Sequence, residues 1–168
     1  MTRILRTIFA FSVIVPTTHA KSHTDIENLC KKTEHTIFSC ELKNKKAVSL
    51  CGSSAEPSYI EYRFGKKDRI ELTHRVDPVQ GKDNFQRAEF VFANNSEERI
   101  WFKIGKHIYR IFMPTRGAPG VEVAVNGEVI SRLVCKGGWK NVSGDPTLKS
   151  KYITDHGISD NLELDLQK

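Results

Sequence analysis

Apolar and polar residues alternate in short runs along most of the chain, the pattern of β-strands that bury one face and leave the other in water. The segments IEYRF (60–64) and VEVAV (121–125) are clear examples. Nine runs of this kind are predicted to be strands: 36–42, 47–52, 58–64, 69–74, 85–93, 99–105, 107–114, 121–126 and 128–135.

The breaks between these runs carry residues of tight turns, such as KNKK, GKKD and NNSEE. Asn126-Gly127, between VEVAV and EVISRLVC, is typical of a two-residue type I′ hairpin. One dry face and one wet face in each strand favour antiparallel pairing over a parallel α/β sheet. The expected fold is mainly β, an antiparallel β-sandwich or an up-and-down barrel of about eight or nine strands.

The C-terminal segment has a different pattern, and no helical period appears before residue 145. Asp145-Pro146 is typical of a helix N-cap followed by proline at the first helical position. Apolar residues then recur at helical spacing, which predicts a short C-terminal helix that ends at Gly157. The last segment, NLELDL, alternates again and is predicted to be an edge strand. Because neither a repeat nor a linker is evident, residues 21–168 are expected to form a single β-rich domain.

The first twenty residues have the three-part layout of a secretory signal peptide. Arg3 and Arg6 supply a cationic start, an apolar run follows, and Thr18-His19-Ala20 places small residues where a signal peptidase reads. The run is shorter than the roughly 20 residues that span a bilayer. We therefore expect cleavage between Ala20 and Lys21 and a periplasmic or secreted protein, with no transmembrane segment in the mature chain.

If the protein is exported, its cysteines are expected to form disulfide bonds, because an even number of cysteines in an oxidising compartment indicates pairing. Strand alternation places Cys40 on the apolar face of its strand and Cys51 on the polar face of the next, so these two should not meet across their hairpin. This favours Cys40–Cys135 in the core and Cys30–Cys51 clipping the N-terminal segment. The other pairings stay open, since a single bulge reverses the parity. Neither a C-x-x-C pair nor a histidine set at ligand spacing indicates a metal site.

The composition is that of an ordinary folded domain, with a formal net charge of +6, 39% hydrophobic residues and 27% charged residues, which excludes a disordered tail or a fibre. The sequence has no H-E-x-x-H pair, no G-x-S-x-G and no phosphate-binding glycine loop. We therefore expect no cofactor, no metal and no catalytic residue, and the protein is not expected to be an enzyme. Nucleic acid is not an expected partner either, because the aromatic residues alternate inward rather than forming a stacking row.

Basic residues cluster at two predicted turns. Arg63, Lys66 and Lys67 lie close to Gly65, and further lysines occupy residues 43–46. One interpretation is an electropositive surface that binds anionic wall polymers, lipid headgroups or an acidic protein. The alternative is that these charges keep hairpin ends soluble and unable to pair edge to edge.

The segment TRGAPG (115–120) is longer than a tight hairpin requires, and its glycines and proline fix its path. Arg116 is its only charge, which indicates a pre-shaped loop that enters another protein's cleft with little loss of entropy. An ordinary Gly-Pro connection is the alternative. Trp139, in KGGWKNVSG, is another candidate for binding, unless it covers one end of the core.

The strings TIFSCELKNKKAVSLC, YIEYRFG and GVEVAVNGEVISRLVC together resemble a group of small bacterial secreted proteins of uncharacterised function. The resemblance covers most of the predicted mature chain and depends on the cysteine pattern and on YRFG. It implies a disulfide-bonded, β-rich exported domain, and it implies no reaction, ligand or functional residue.

Three functions are compatible with these features. The favoured one is a non-enzymatic binding protein of the bacterial periplasm, an inhibitor or immunity protein against a cell-envelope-degrading hydrolase, with another envelope protein as its partner. The alternative is a small-ligand or glycan-binding envelope protein with a pocket lined by Tyr59, Tyr62, Trp101 or Tyr109. A hydrolase would require a nucleophile, a base and an orienting group to converge, which no motif indicates.

Export makes a direct prediction about the mature protein. The chain isolated from cells is expected to begin at Lys21 and to contain no free thiol, because the exported cysteines are oxidised in pairs. Intact mass measured with and without alkylation under denaturing conditions checks both points. A protein that retains residues 1–20 and has four free thiols would contradict the prediction.

Overall fold

The computed structural model of the protein describes residues 28–53, 58–77, 84–140 and 151–160. The predicted signal peptide and the NLELDL segment lie outside these residues. Ten strands are found within them: β1 (Glu34–Leu42), β2 (Ala47–Ser53), β3 (Ile60–Lys66), β4 (Arg69–Val76), β5 (Phe85–Phe92), β6 (Asn95–Ile104), β7 (His107–Pro114), β8 (Gly120–Val125), β9 (Glu128–Lys140) and β10 (Ile153–Ser159).

All ten strands belong to one sheet, in the order β10-β5-β6-β7-β8-β9-β1-β2-β3-β4. Neighbouring strands are antiparallel except β10, which runs parallel to β5. The nine predicted strands correspond to β1 to β9, so the mainly β expectation is confirmed, whereas the predicted number of eight or nine is too low by at least one.

The sheet curls on itself, so that the inner faces of β3 and β4 pack against those of β5 and β6. The His74 ring of β4 stacks on Phe102 of β6 with centroids 4.2 Å apart, and it meets Phe85 edge-on at 5.3 Å. Tyr62 of β3 also contacts Phe102, at 4.9 Å. The fold is therefore a half-barrel made of one mixed sheet around a filled apolar interior, not a sandwich of two separate sheets.

The hairpin between β8 and β9 has the predicted turn chemistry. Asn126 and Gly127 both have positive φ angles, 52° and 85°, as a type I′ turn requires. The register that follows pairs Val125 with Glu128 and keeps Val121 on the inner face opposite Leu133. Local turn chemistry and hydrophobic alternation therefore specify the same pairing.

The predicted C-terminal helix is wrong in the residues that the structure describes, where Ile153–Ser159 forms β10. The start of that helix, at Asp145-Pro146, lies outside the described residues. The Phe85 N–H donates to the Tyr152 carbonyl oxygen (3.0 Å), and β10 continues along the edge of β5. Because an isolated short helix is only marginally stable, the open hydrogen-bonding groups of a sheet edge outweigh the local helical pattern.

The longest strand, β9, joins the two halves of the sheet. Its first half, from Glu128, pairs with β8, whereas its second half, from Cys135, pairs with β1. The Cys40–Cys135 disulfide lies where the pairing changes sides, with both residues buried, and Cys30–Cys51 ties the N-terminal segment to β2. These are the pairs that strand parity favours; the β1 bulge lies before Phe38 and leaves the parity of Cys40 unchanged.

The two disulfides are expected to contribute unequally to stability, because they close loops of 95 and 21 residues. Replacing Cys40 and Cys135 by alanine should lower the free energy of unfolding by about 4–5 kcal/mol, and replacing Cys30 and Cys51 by about 3 kcal/mol. Urea unfolding of the two double variants measures both values. A larger loss in the Cys30/Cys51 variant would contradict this ranking.

Candidate functional site

The antiparallel order sends successive hairpin connections to opposite ends of the half-barrel. The turns 43–46, 67–68, 105–106 and 126–127 lie at one end, which we call the basic end. The β7–β8 connection, residues 115–119, lies at the other end beside the β5–β6 turn, and we call this the loop end. Lys66 with Lys67 and the loop of Arg116, the two groups that the sequence singles out for binding, therefore lie on different connections, which β9, β1 and β2 separate in the sheet.

The first half of the Arg116 loop is tied to the neighbouring β5–β6 turn. The Thr115 N–H donates to the Ser96 carbonyl oxygen (2.7 Å), and the two hydroxyl groups of these residues lie 2.6 Å apart. The Arg116 N–H donates to Asn95 Oδ1 (3.0 Å). These bonds fix the backbone of Arg116 while its side chain is exposed.

The second half of the loop is tied to β9. The Pro119 carbonyl oxygen accepts a hydrogen bond from the Cys135 N–H (2.9 Å), next to the Cys40–Cys135 disulfide. Gly117 has a φ of 115°, which a residue with a Cβ adopts only at a cost, so the tip of the loop needs glycine there. The loop is thus fixed on both sides of a single exposed cation.

At the basic end, Lys66 and Lys67 are exposed, as the electropositive interpretation requires. Together with Lys45 they line an open groove with a volume of about 340 Å³ between the β1–β2 and β3–β4 turns. Glu41 and Asp68 also border this groove, so its charge is mixed but predominantly positive. The two lysine-bearing turns therefore form one continuous surface.

Arg63, by contrast, is not part of that surface. Its side chain is only 5% exposed, and its guanidinium pairs with the carboxylates of Glu34 and Glu61 and donates to the Leu29 carbonyl oxygen (2.9 Å). Arg63 points to the outer face of the sheet, where residues 28–33, which we call the strap, cover it. The exposed cluster consequently begins at Lys66, and Arg63 has a position inside the protein.

The strap and the charges beneath it form one polar network. The Leu29 N–H donates to Ser49 Oγ (2.9 Å), and Cys30–Cys51 holds the strap against β2. Arg75 donates to Glu61 (3.0 Å) and lies 4.0 Å over the Tyr59 ring. Such a network needs every partner, because a buried charge without one is strongly destabilising.

The Glu34 carboxylate is the acceptor at the centre of this network. Burial by itself would raise its pKa, but hydrogen bonds from Arg63, Tyr59 and the backbone of Lys31 outweigh that effect and lower the pKa from 4.5 to about 2. Burial and the hydrogen bond to Glu34 also raise the pKa of the Tyr59 hydroxyl. Glu34 is therefore ionised in the folded protein across the physiological range.

One group of side chains in the described residues has the spacing of a metal site: Cys30, Glu34 and Cys51. Both sulfur atoms belong to the Cys30–Cys51 disulfide and cannot act as thiolate ligands. The Glu34 carboxylate is already engaged by Arg63. These residues therefore do not fit a metal ion.

The four aromatic residues considered for a ligand pocket do not line a common cavity. Tyr62 and Tyr109 both contact Phe102 in the filled interior. Trp101 is buried on the outer face of β6 in a second apolar cluster, and Tyr59 belongs to the strap network. This arrangement gives no support to the ligand-binding or glycan-binding alternative.

The remaining candidates are dispersed. Trp139 lies on β9, 39% exposed, in register with Cys40 of β1. The histidines of the described chain lie on four different strands: His35 on β1, His74 on β4, His107 on β7 and His156 on β10. His74 is buried in the aromatic interior, while His156 stacks on Trp101 at the outer face.

Sequence reasoning missed a group of exposed apolar side chains beside the basic turns. Ile70, Ile104, Val129 and Ile130 are between 39% and 60% exposed. Ile70 and Ile104 lie close to turn lysines in the sequence whereas Val129 and Ile130 do not, and alternation places branched aliphatic residues in a core by default. Only the pairing of β9 shows that its first residues have β8 on one side and no described strand on the other.

Comparison of the chain with protein-family models, with curated proteins and with solved structures found no match. The resemblance to small bacterial secreted proteins therefore stays a prediction. Within the described residues, no helix has the length and apolar character to cross a membrane.

The low pKa of Glu34 predicts acid sensitivity. Its ionised form stabilises the fold fully above about pH 4.5, and this contribution is lost as the pH falls towards 2, since the unfolded chain takes up the proton first. Urea unfolding between pH 6 and pH 2 should therefore show a smaller pH dependence in Glu34→Gln than in the native protein. The matched variant Glu128→Gln, at an exposed hairpin turn, should keep the native profile; equal profiles for all three proteins would contradict this role of Glu34.

Proposed function

We propose that this protein is an exported, non-enzymatic binding protein of the bacterial periplasm that inhibits a cell-envelope-degrading hydrolase. The observation that carries the proposal is the Arg116 loop, an exposed cation on a backbone fixed by hydrogen bonds on both sides. Inhibition would be by occlusion, with the loop occupying the partner's substrate cleft.

The chemistry of envelope hydrolases supports an arginine as the inserting residue. Glycoside hydrolases that cleave wall polysaccharides use a pair of carboxylates at the base of a cleft. A guanidinium binds a carboxylate with two parallel hydrogen bonds, which makes it a good complement to such a pair. Because the loop is already ordered by Asn95, Ser96 and Cys135, little conformational entropy is lost when it binds.

The disulfides support the location. All four cysteines of the chain are paired, as Cys30–Cys51 and Cys40–Cys135. Structural disulfides persist in oxidising compartments and are rare in the reducing cytosol. An exported protein is also in the compartment where wall-degrading hydrolases act.

The test is inhibition of purified wall hydrolases by the oxidised protein. A muramidase, a lytic transglycosylase and an amidase are assayed on isolated peptidoglycan, and at least one should be inhibited with a stoichiometry near 1:1. Arg116→Glu should weaken that inhibition by about 30-fold or more, the loss expected for an interface hot spot of about 2 kcal/mol. The rate of turbidity loss of the peptidoglycan suspension is the measurement.

Lys67→Glu is the matched control, because it makes the same charge change on an exposed turn that β9, β1 and β2 separate from the loop. It should inhibit like the native protein. Equal inhibition by Arg116→Glu and the native protein would remove the loop from the proposal, and the absence of inhibition against all three enzyme classes would overturn the inhibitor function.

A further inference from the structure

The basic end of the half-barrel carries a concentrated positive charge. Its four turns, with the strand residues beside them, form the hairpin segments 43–46, 66–71, 103–106 and 126–130. These segments contain eight cations: Lys43, Lys45, Lys46, Lys66, Lys67, Arg69, Lys103 and Lys106. Lys46 is half-buried and pairs with Glu71 (2.6 Å). Only three carboxylates lie in the same segments: Asp68, Glu71 and Glu128. The surface is therefore suited to an anionic partner.

Exposed apolar side chains lie among these charges. Seven large hydrophobic residues of the described chain are exposed, and four belong to the basic end: Ile70, Ile104, Val129 and Ile130. Three of the four hairpin segments carry at least one of them. Ile130 is the most exposed of the four, at 60%. A purely electrostatic surface would not need exposed aliphatic groups beside its turns.

The hairpin segments are staggered along the strands. Beside the β6–β7 and β8–β9 turns, Val125 pairs with Glu128 of β9. Beside the β1–β2 and β3–β4 turns, Leu42 pairs with Cys135, which lies further along the same strand. With one extra β9 residue at a bulge, the β6–β7 and β8–β9 turns thus extend about six residues, or about 20 Å, beyond the β1–β2 and β3–β4 turns along the strand direction.

This stagger is what a tilted sheet requires for its turns to end at one height. The two pairs of turns are about four strand spacings apart, or about 19 Å. An offset of about 20 Å over that distance corresponds to a tilt of about 45°, at the upper end of the usual inclination of strands to a barrel axis. In a half-barrel whose strands have this tilt, all four hairpin segments reach a common plane.

We propose that the basic end is a docking surface for a bilayer that contains anionic phospholipids. Lysines attract the headgroups, and their aliphatic stems, with the side chains of Ile104, Val129 and Ile130, enter the interfacial region of the bilayer. The apolar component favours a lipid surface over an anionic wall polymer, because a polymer of sugars and phosphates offers no hydrocarbon to these side chains.

The experiment is flotation of the oxidised protein with unilamellar vesicles, either of phosphatidylcholine alone or with 30% phosphatidylglycerol. The native protein should float with the anionic vesicles, bind the neutral ones at least tenfold more weakly, and lose most of its binding in 0.5 M NaCl. Lys66→Ala/Lys67→Ala should lower the partition coefficient by about 25-fold, since each cation near an anionic surface contributes about fivefold.

A second variant tests the apolar part separately. Val129→Ser/Ile130→Ser leaves every charge in place and should weaken binding to the anionic vesicles at low salt, while an unchanged urea midpoint shows that the hairpin still folds. If this variant binds like the native protein, the hydrocarbon contact is wrong. The proposal is also overturned if the native protein does not bind anionic vesicles, or if it binds a soluble anionic polymer such as polyphosphate and not vesicles.

Arg116→Glu is the control for position, because it removes a cation from a connection outside the four hairpin segments and should leave vesicle binding unchanged. The assay contains lipid without any hydrolase, and the inhibition assay contains hydrolase without lipid. Failure of membrane docking therefore leaves the inhibitor proposal untouched, and failure of inhibition leaves membrane docking untouched.

Discussion

The pairing of β9 with a different neighbour in each half is the constraint on which the rest of the structure depends. It joins the two hairpin series into one sheet and sets the offset between them, and Cys40–Cys135 fixes it at the point where the pairing changes sides. A covalent bond at this point restricts sliding of β1 along β9. Since a shift of one residue would turn every inward side chain of a strand outward, the filled interior also depends on this register.

The second organising feature is the burial of charged side chains on the outer face of the sheet. Unlike burial of the apolar interior, it removes charged groups from water at a cost. Arg63, Glu34 and Glu61 have lost most of their contact with water, and their mutual attraction has to compensate for that cost. The strap supplies the remaining hydrogen-bond acceptor through Leu29. The outer face of β1 to β3 is therefore specified by polar complementarity, while the inner face is specified by hydrophobic packing.

Much of the fold could be predicted from the sequence, because alternation and turn residues are local signals that tertiary structure here reinforces. The strands from β1 to β9 and the disulfide parity of Cys40 follow from them. The strand β10 could not be predicted, since only the edge of β5 makes that segment extended. The burial of Arg63 could not be predicted either, because a cation on the polar face of a strand is expected in solvent. No local pattern shows that a segment 30 residues earlier covers it. For the candidate site, the Arg116 loop was visible as a motif, whereas its hydrogen bonds to Asn95 and Cys135 were not.

The Cys30–Cys51 disulfide has a consequence for the order of the folding steps. Without that covalent tie, the strap is free to leave β2, water reaches Arg63, and the carboxylates around it regain their hydration. A newly made chain that is still reduced therefore lacks a fixed cover over Arg63 and its carboxylate partners, and its folded state is less stable. Oxidation of Cys30 and Cys51 then closes the cover and completes the structure.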